Sequence, residues 1–407
     1  MPSSPLSRLA LAAALATGLG ATAHAQVSDD VVRIGVMADQ TGPYAGNGGP
    51  GITVAVRMAV EDFGGKVLGK PIEVVVADDQ NKPDVGLNIA RKWLDVDKVD
   101  TIISNSASSI ALGVNTLMRE RGKPYLISGT TTTELTNKAC SPMTIQYLTD
   151  TYAMAKASVQ ALMKQGIKTF YFVTVDYAFG QAWQEDGTRF IEAAGGKVVG
   201  SVKHPLGTTD FSSYLMQAQA SGAQAVVFLS AGQDASNALK QAAEYKLARN
   251  GQAMGVFGMT INVVGAMGQD VAQGLQFTAP FYWDQDEATR AWTKRFRERY
   301  KEGVPTYLMA GAYSAATHYL NAVKAAGTDE GKAVAAKLHE LPVNDFFSKN
   351  VKVREDGQVL RKVYAVKVKA PSESKYPYDF YTITGEIPPE QAWRTPADSA
   401  CSLLKSK

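Results

Sequence analysis

From Val31 onward, short runs of Val, Ile and other apolar residues alternate with stretches whose apolar positions recur every three to four residues. Residues 31–38 and 72–78 read as strands, and each precedes a helical pattern, at 52–63 and 85–96 respectively. A strand at 101–104, a helix at 109–121 and a strand at 125–128 continue the alternation. Apolar strands separated by amphipathic helices predict an α/β arrangement, with a mostly parallel sheet covered on both faces. After Thr149 a second series begins: helix 152–164, strand 169–175, helix 181–194, strand 197–202, helix 211–220 and strand 225–229. Two similar domains are expected, closely apposed because no long linker separates them around 146–150.

The later chain departs from this rhythm. Residues 287–301 and 307–326 are helical by periodicity, while 351–354 and 362–368 flank Glu355-Asp356-Gly357 as a β-hairpin. These elements are expected to complete the two earlier sheets. Beyond Ala370 the chain is rich in Pro and Tyr and reads as an extended strap over the surface, held at its end by Cys401.

Composition narrows the functional classes. With 407 residues, 45% hydrophobic and 20% charged, the chain is of ordinary globular composition, which excludes a disordered, collagen-like or coiled-coil protein. Forty-two Lys and Arg oppose 39 Asp and Glu, a balance too even for a nucleic-acid partner. At the N-terminus, Arg8 is followed by an apolar run over 9–19 and by Ala23-His24-Ala25, the pattern of a secretory signal peptide covering 1–25. That run is shorter than the roughly 20 residues of a membrane span. The expected product is a soluble, exported protein without membrane insertion. Cys140 and Cys401 are the two cysteines of the chain. In an oxidising compartment they are candidates for a disulfide pinning the tail to the first domain, the alternative being two separately buried thiols.

Catalytic motifs are missing where a parallel sheet would present them. The glycine-rich run Gly46-Asn47-Gly48-Gly49-Pro50-Gly51 has the wrong spacing for a dinucleotide turn. Residues 64–70 resemble a phosphate-binding loop, but Pro71 stands where Ser or Thr is required and a strand follows. His204, His318 and His339 fall in no metal-ligand pattern, and no Gly-x-Ser-x-Gly elbow occurs. No metal, cofactor or enzymatic activity is expected, although catalytic triads assemble in space and a secreted enzyme stays as an alternative.

What the strand ends do carry is hydroxyl groups: Ser104-Asn105-Ser106-Ala107-Ser108-Ser109 after one strand and Ser128-Gly129-Thr130-Thr131-Thr132-Thr133 after the next. Ligands of parallel sheets bind at these ends. A helix start exposes unpaired N–H groups and the positive end of its dipole, so a carboxylate held there by hydroxyls needs no arginine. The local alternative is N-capping by Ser108 and a capping box from Thr131 to Glu134.

Several of these segments carry a family resemblance: VVRIGVMADQTGPY at 31–44, Ala77-Asp78-Asp79, the serine-rich loop, 130–136, FVTVDYAFG at 172–180, Asp210-Phe211-Ser212 and 257–261. Their order resembles the leucine/isoleucine/valine-binding type of periplasmic ABC-transporter receptors. The resemblance implies a type I periplasmic binding protein: two Rossmann-like lobes with parallel sheets, joined by three crossovers and closing on a ligand. The implied lobes are 26–148 plus 279–345 and 149–278 plus 346–385, with 386–407 returning to the first. It implies that Ser108, Ser109, Thr130 and Thr132 hold a ligand carboxylate, and that Asn47, Tyr177, Phe179, Thr260 and Tyr307 border the pocket. The aromatic members are equally readable as plain core. A small carboxylate, an inner-membrane ABC permease and a monomeric state are the implied partners and assembly. One departure matters. Receptors of this type carry an acid for the ligand's ammonium after the Gly-x of the second lobe, and here Gly258-Met259-Thr260 has none. An organic acid, aromatic or aliphatic, is therefore expected unless Asp176 or Asp234 substitutes. A branched-chain amino-acid or amide receptor, or a ligand sensor on the same fold, remains the alternative.

Overall fold

The computed structural model describes residues 27–247 and 251–405, so the expected signal segment 1–25 lies outside the described residues. The first series forms strands β1 (Val32–Ala38), β2 (Lys66–Val67), β3 (Lys70–Asp78), β4 (Thr101–Asn105), β5 (Tyr125–Ile127) and β6 (Thr144–Gln146). Between them run α1 (Gly49–Asp62), α2 (Pro83–Asp95) and α3 (Ser108–Arg121). The second series contains α4 (Thr151–Lys164), β7 (Thr169–Val175), α5 (Ala178–Ala193), β8 (Lys197–His204), α6 (Ser212–Ala220), β9 (Ala225–Leu229), α7 (Gly232–Glu244) and β10 (Ala253–Gly255). Then follow α8 (Ile261–Met267), α9 (Gln269–Ala272), β11 (Gln276–Ala279), α10 (Glu287–Arg299), α11 (Tyr307–Ala326), α12 (Gly331–Glu340), β12 (Val363–Val368) and β13 (Tyr381–Ile387).

These strands make a six-stranded sheet in the order β2-β3-β1-β4-β5-β6 and a four-stranded sheet in the order β10-β9-β7-β8. All pairings are parallel except the short β2–β3 contact. Side chains leave alternate faces of a strand. In β1, Val32, Ile34 and Val36 accordingly join a core with Ile52, Met309 and Tyr319, while Met37 joins Ile110 and Trp93 on the opposite face. The four-stranded sheet is covered in the same way, with Phe172 and Val227 packing on Trp183 and Phe179, and Val226 and Phe228 on Leu239. In each sheet the chain moves from its first strand to one neighbour and then crosses to the other side, which opens a crevice between β1 and β4 and between β7 and β9.

The late chain corrects three expectations. The turn at Glu355-Asp356-Gly357 forms, with the Gly357 N–H on the Arg354 carbonyl at 2.8 Å, but Val353 pairs with Val359 rather than with 362–368. Residues 357–359 are drawn away to lie beside β6, where Val359 N–H bonds Gln146 O at 3.0 Å and Gln146 N–H bonds Gly357 O at 2.9 Å. Gly357 is required there: its φ is 87°, and a Cβ would fall 1.9 Å from Thr144 O. Strand β12 instead joins β11 and β13 in a separate three-stranded antiparallel sheet and completes neither parallel sheet, whereas residues 357–359 do extend the first one through a parallel bridge beside β6. Residues 381–387, read as part of a surface strap, are thus an edge strand whose alternate side chains face solvent. The tail ends at a disulfide between Cys140 and Cys401, closing a loop across 261 residues. Among the described residues no helix is long and apolar enough to cross a membrane.

Candidate functional site

The loops leaving the carboxyl ends of β1, β4 and β5 and those leaving β7, β9 and β10 line a single cavity, with about 650 Å³ of space free of atoms. The six-stranded half contributes Tyr44, Asn47, Asn105, Ser106, Ser108 and Thr130; the other half contributes Tyr177, Phe179, Trp183, Ser230 and Thr260. Tyr307 and Leu308, the first residues of α11, complete the wall.

Local sequence explains why the loops meet here. The Asp39 carboxylate accepts from the N–H groups of Gly42 at 2.6 Å and Tyr44 at 2.8 Å, folding residues 39–44 back under the end of β1. Gly129 lets the β5 loop close on the β4 loop, since a Cβ there would fall 1.4 Å from Asn105 Oδ1. Helices α3, α5 and α7 start at the cavity with N-cap residues Ala107, Tyr177 and Ala231, none of which supplies a side-chain cap. Helix α11, which also starts at the cavity, is capped by Thr306, and α4, α10 and α12, away from it, are capped by Asp150, Asp286 and Glu330, whereas α2 and α6 start elsewhere without a side-chain cap. The first-turn N–H groups of the cavity helices have no intrahelical partner, and their dipoles are positive at this end.

Contacts between the two halves converge on the loop after β1. Thr260 Oγ1 donates to Asn47 Oδ1 at 2.9 Å, Asn262 Nδ2 to Gly46 O at 2.7 Å, and the Gln233 N–H to Pro43 O at 3.1 Å. The phenols of Tyr44 and Tyr177 meet at 2.8 Å. Burial and mutual proximity push the Tyr44 phenol well above the usual tyrosine range, and burial does the same for Tyr177, so both stay neutral.

None of the described residues lining the cavity carries a charged side chain. Asp176, one candidate for an ammonium partner, is exposed and paired with Lys203 at 3.0 Å, outside the cavity. Asp234 is buried and accepts from the Gly207 N–H at 3.1 Å; burial raises its carboxyl to about 6. Its charge reaches the Tyr44 and Tyr177 phenols, but it does not line the cavity.

Of the residues singled out in the sequence, Asn47, Ser108, Thr130, Tyr177, Phe179, Thr260 and Tyr307 line the cavity; Ser109 and Thr132 do not. Thr132 is buried and caps the single turn Thr133–Thr136, its hydroxyl accepting the Glu134 N–H at 3.4 Å. That contact replaces the expected capping box from Thr131. Ser108 is the first residue of α3 rather than its cap, which leaves its side chain clear of the capping role. The Thr130 hydroxyl donates to Ser106 O at 2.6 Å, so its proton ties two loops together and is not free for a ligand. Sequence reasoning missed Tyr44, Asn105, Trp183 and Ser230. Ser230 directly follows a predicted strand, a signal that was available; Trp183 lies in the second turn of α5 and only its packing brings it to the cavity. The indole N–H of Trp183 is buried without a partner among the described residues.

A family model described as periplasmic binding protein matches residues 31–375. The structure superposes on the crystal structure of a periplasmic binding protein from Burkholderia mallei with a TM-score of 0.90 at 43% identity, covering 92% of this chain and 99% of that one. A branched-chain amino-acid ABC transporter periplasmic ligand-binding protein from Burkholderia xenovorans gives 0.81 at 38% identity, covering 92% and 100%. A solute-binding protein of an ABC transporter from R. palustris, solved in complex with benzoate, shares the fold at 21% identity, with a TM-score of 0.80 and coverage of 91% and 99%. The chain spans 57% of the length of the curated Leu/Ile/Val-binding protein homolog 6 of Brucella abortus, at 26% identity over 229 residues. With the doubly wound sheets and the cavity between them, the match over most of the chain places this protein in the periplasmic binding protein family, with the type I fold.

Proposed function

We propose that this chain is the solute receptor of an ABC importer and captures a small carboxylate, an aromatic acid above all, between its halves without transforming it. The lobes we assign are 26–148 plus 279–345 and 149–278 plus 346–385, with 386–407 returning to the first and 1–25 removed on export. The observation that carries the ligand class is the uncharged cavity at which α3, α5 and α7 start without side-chain caps. A buried ammonium without a partner costs several kcal/mol. A carboxylate finds instead the Ser108 hydroxyl and the first N–H groups of α3, with the partnerless Trp183 N–H as a further donor in the same cavity. Tyr44, Tyr177, Phe179, Trp183 and Tyr307 present ring surface suited to a flat apolar body. Closure needs only modest energy: a micromolar dissociation constant corresponds to about 8 kcal/mol. The four contacts that join the halves contribute about 0.5–1.5 kcal/mol each.

A branched-chain amino-acid receptor is the second reading, favoured by the buried Asp234 behind the tyrosine pair. A thermal-shift panel separates the two, because a ligand that binds the folded state raises the melting temperature by mass action. Benzoate-type and aliphatic acids are expected to raise it and leucine, isoleucine and valine to leave it unchanged. A response confined to the α-amino acids reverses the assignment. Recovery of the bound acid chemically unchanged after prolonged incubation, read by mass spectrometry, is expected; conversion would mark an enzyme.

A further inference from the structure

A second groove, sharing no lining residue with the cleft, lies between the end of β11, the start of α10 and the start of β12, with about 1510 Å³ of space free of atoms. One wall is aromatic: Phe346, Phe347 and Tyr364. The other carries Lys349, Lys352 and Arg361, with Lys362 already paired to Glu386 at 2.9 Å, and Asp286, whose carboxylate is engaged in capping α10 through the Thr289 N–H at 2.8 Å.

Arg361 is the telling residue. Its side chain is only 3% exposed, Nε donates to Tyr147 O at 2.9 Å, and Nη2 donates to Ser314 Oγ at 2.6 Å and lies 3.5 Å from the Asp345 carboxylate. Nη1 is buried with no acceptor among the described residues, while the guanidinium stacks over the Phe347 ring at 4.3 Å. An unsatisfied N–H on a buried cation is costly, and an acceptor arriving from the groove removes that cost. Lys349 and Lys352 are exposed at the rim, with no ion-pair partner among the described residues. Rings for a flat apolar body and unmatched cationic donors for an acid group thus lie in one groove.

We infer that this groove is a second binding site, separate from the cleft, for a small aromatic carboxylate. The ring packs against the edges of the aromatic wall beside Phe347 and Tyr364, and the carboxylate meets the Arg361 Nη1 with Lys349 and Lys352 supplying the field. The inference does not depend on what the cleft binds.

Photolabelling of the full chain with 4-azidobenzoate, followed by peptide mapping, tests it. Label is expected on proteolytic peptides covering 346–352 or 360–364. The double variant Lys349→Glu with Lys352→Glu, which touches only exposed side chains, is expected to lower that label about tenfold, the equivalent of one charge-assisted contact. Any label on cleft peptides around Ser108 or Tyr177 is expected to stay unchanged and reports on the cleft separately. Phe347→Ala is expected to lower groove labelling as well, with the melting curve checked for an intact fold. Absence of label from both groove peptides, or label undiminished in the lysine variant, overturns the site and leaves the Arg361 Nη1 to be satisfied by water.

Discussion

The contact between Thr260 and Asn47 offers the sharpest test of the proposed closure of the two halves on a ligand. The Thr260 hydroxyl donates to Asn47 Oδ1 at 2.9 Å, and the two side chains are 3% and 7% exposed on opposite sides of the cleft. Thr260→Val keeps the shape, removes the donor and leaves the amide oxygen buried without a partner. An unsatisfied buried acceptor costs about 1–3 kcal/mol. That cost falls only on the closed arrangement, because opening the cleft returns Asn47 to water. If capture and closure are coupled, the dissociation constant should rise about 5- to 150-fold, the same energy expressed as a ratio. The free chain's unfolding midpoint in denaturant should stay nearly constant if its resting state is open. Titration followed by the fluorescence of Trp183, which lines the cavity, gives the affinity. A double-mutant cycle with Asn47→Ala isolates the pair, and a coupling energy of about 1 kcal/mol or more is expected. Unchanged affinity in Thr260→Val with a coupling near zero would show that this contact plays no part in holding ligand.

Other predictions follow from the same geometry. Ser108→Ala should weaken binding of an acid about 10- to 150-fold, the value of a hydrogen bond to a charged group, whereas Thr132→Ala should leave affinity intact and cost about 1 kcal/mol of stability through its lost cap; equal effects on affinity would put Thr132 back at the ligand. Replacing Cys140 and Cys401 by serine should lower unfolding stability by about 2–5 kcal/mol, because their bond closes a very long loop, with cleft affinity changed little. Asp186 is buried beside Asp150 and its carboxyl is raised to about 7, with burial the larger cause. The folded chain therefore binds this proton more tightly than the unfolded chain. Its contribution to stability is present below about pH 4 and is lost as the pH rises toward about 7. Asp186→Asn should flatten that part of the stability profile in denaturant titrations; an unaltered profile contradicts the assignment.

The sheets were legible because central strands such as β1 and β9 are apolar on both faces and stand out as runs, while edge-side strands such as β3 and β8 keep enough Val and Ile to be read, and the intervening helices keep a clear period. Phe179 shows the limit of that reading: helix α5 begins at Ala178 rather than at 181, so this ring projects from a helix start and not from a loop. The three-stranded sheet was not legible, since Gln276–Ala279 is four residues long and its partner β12 lies far along the chain. A tight turn signal survived at Gly357, but which strand pairs with which was decided by the space beside β6. Hydroxyl-rich loops marked the right strand ends, yet spelling alone could not separate Ser108, which lines the cavity, from Thr132, which turns inward to a backbone N–H. Tyr44 and Trp183 reach the cavity through packing of the two halves, and no local pattern encodes that.

A crystal structure of the complex with the acid that most raises the melting temperature tests the central claim most directly. The account predicts a carboxylate within hydrogen-bonding distance of the Ser108 side chain and the first N–H groups of α3, with the rest of the molecule against Tyr177 and Phe179. An acid group elsewhere, or a ligand ammonium seated on Asp234, would contradict it.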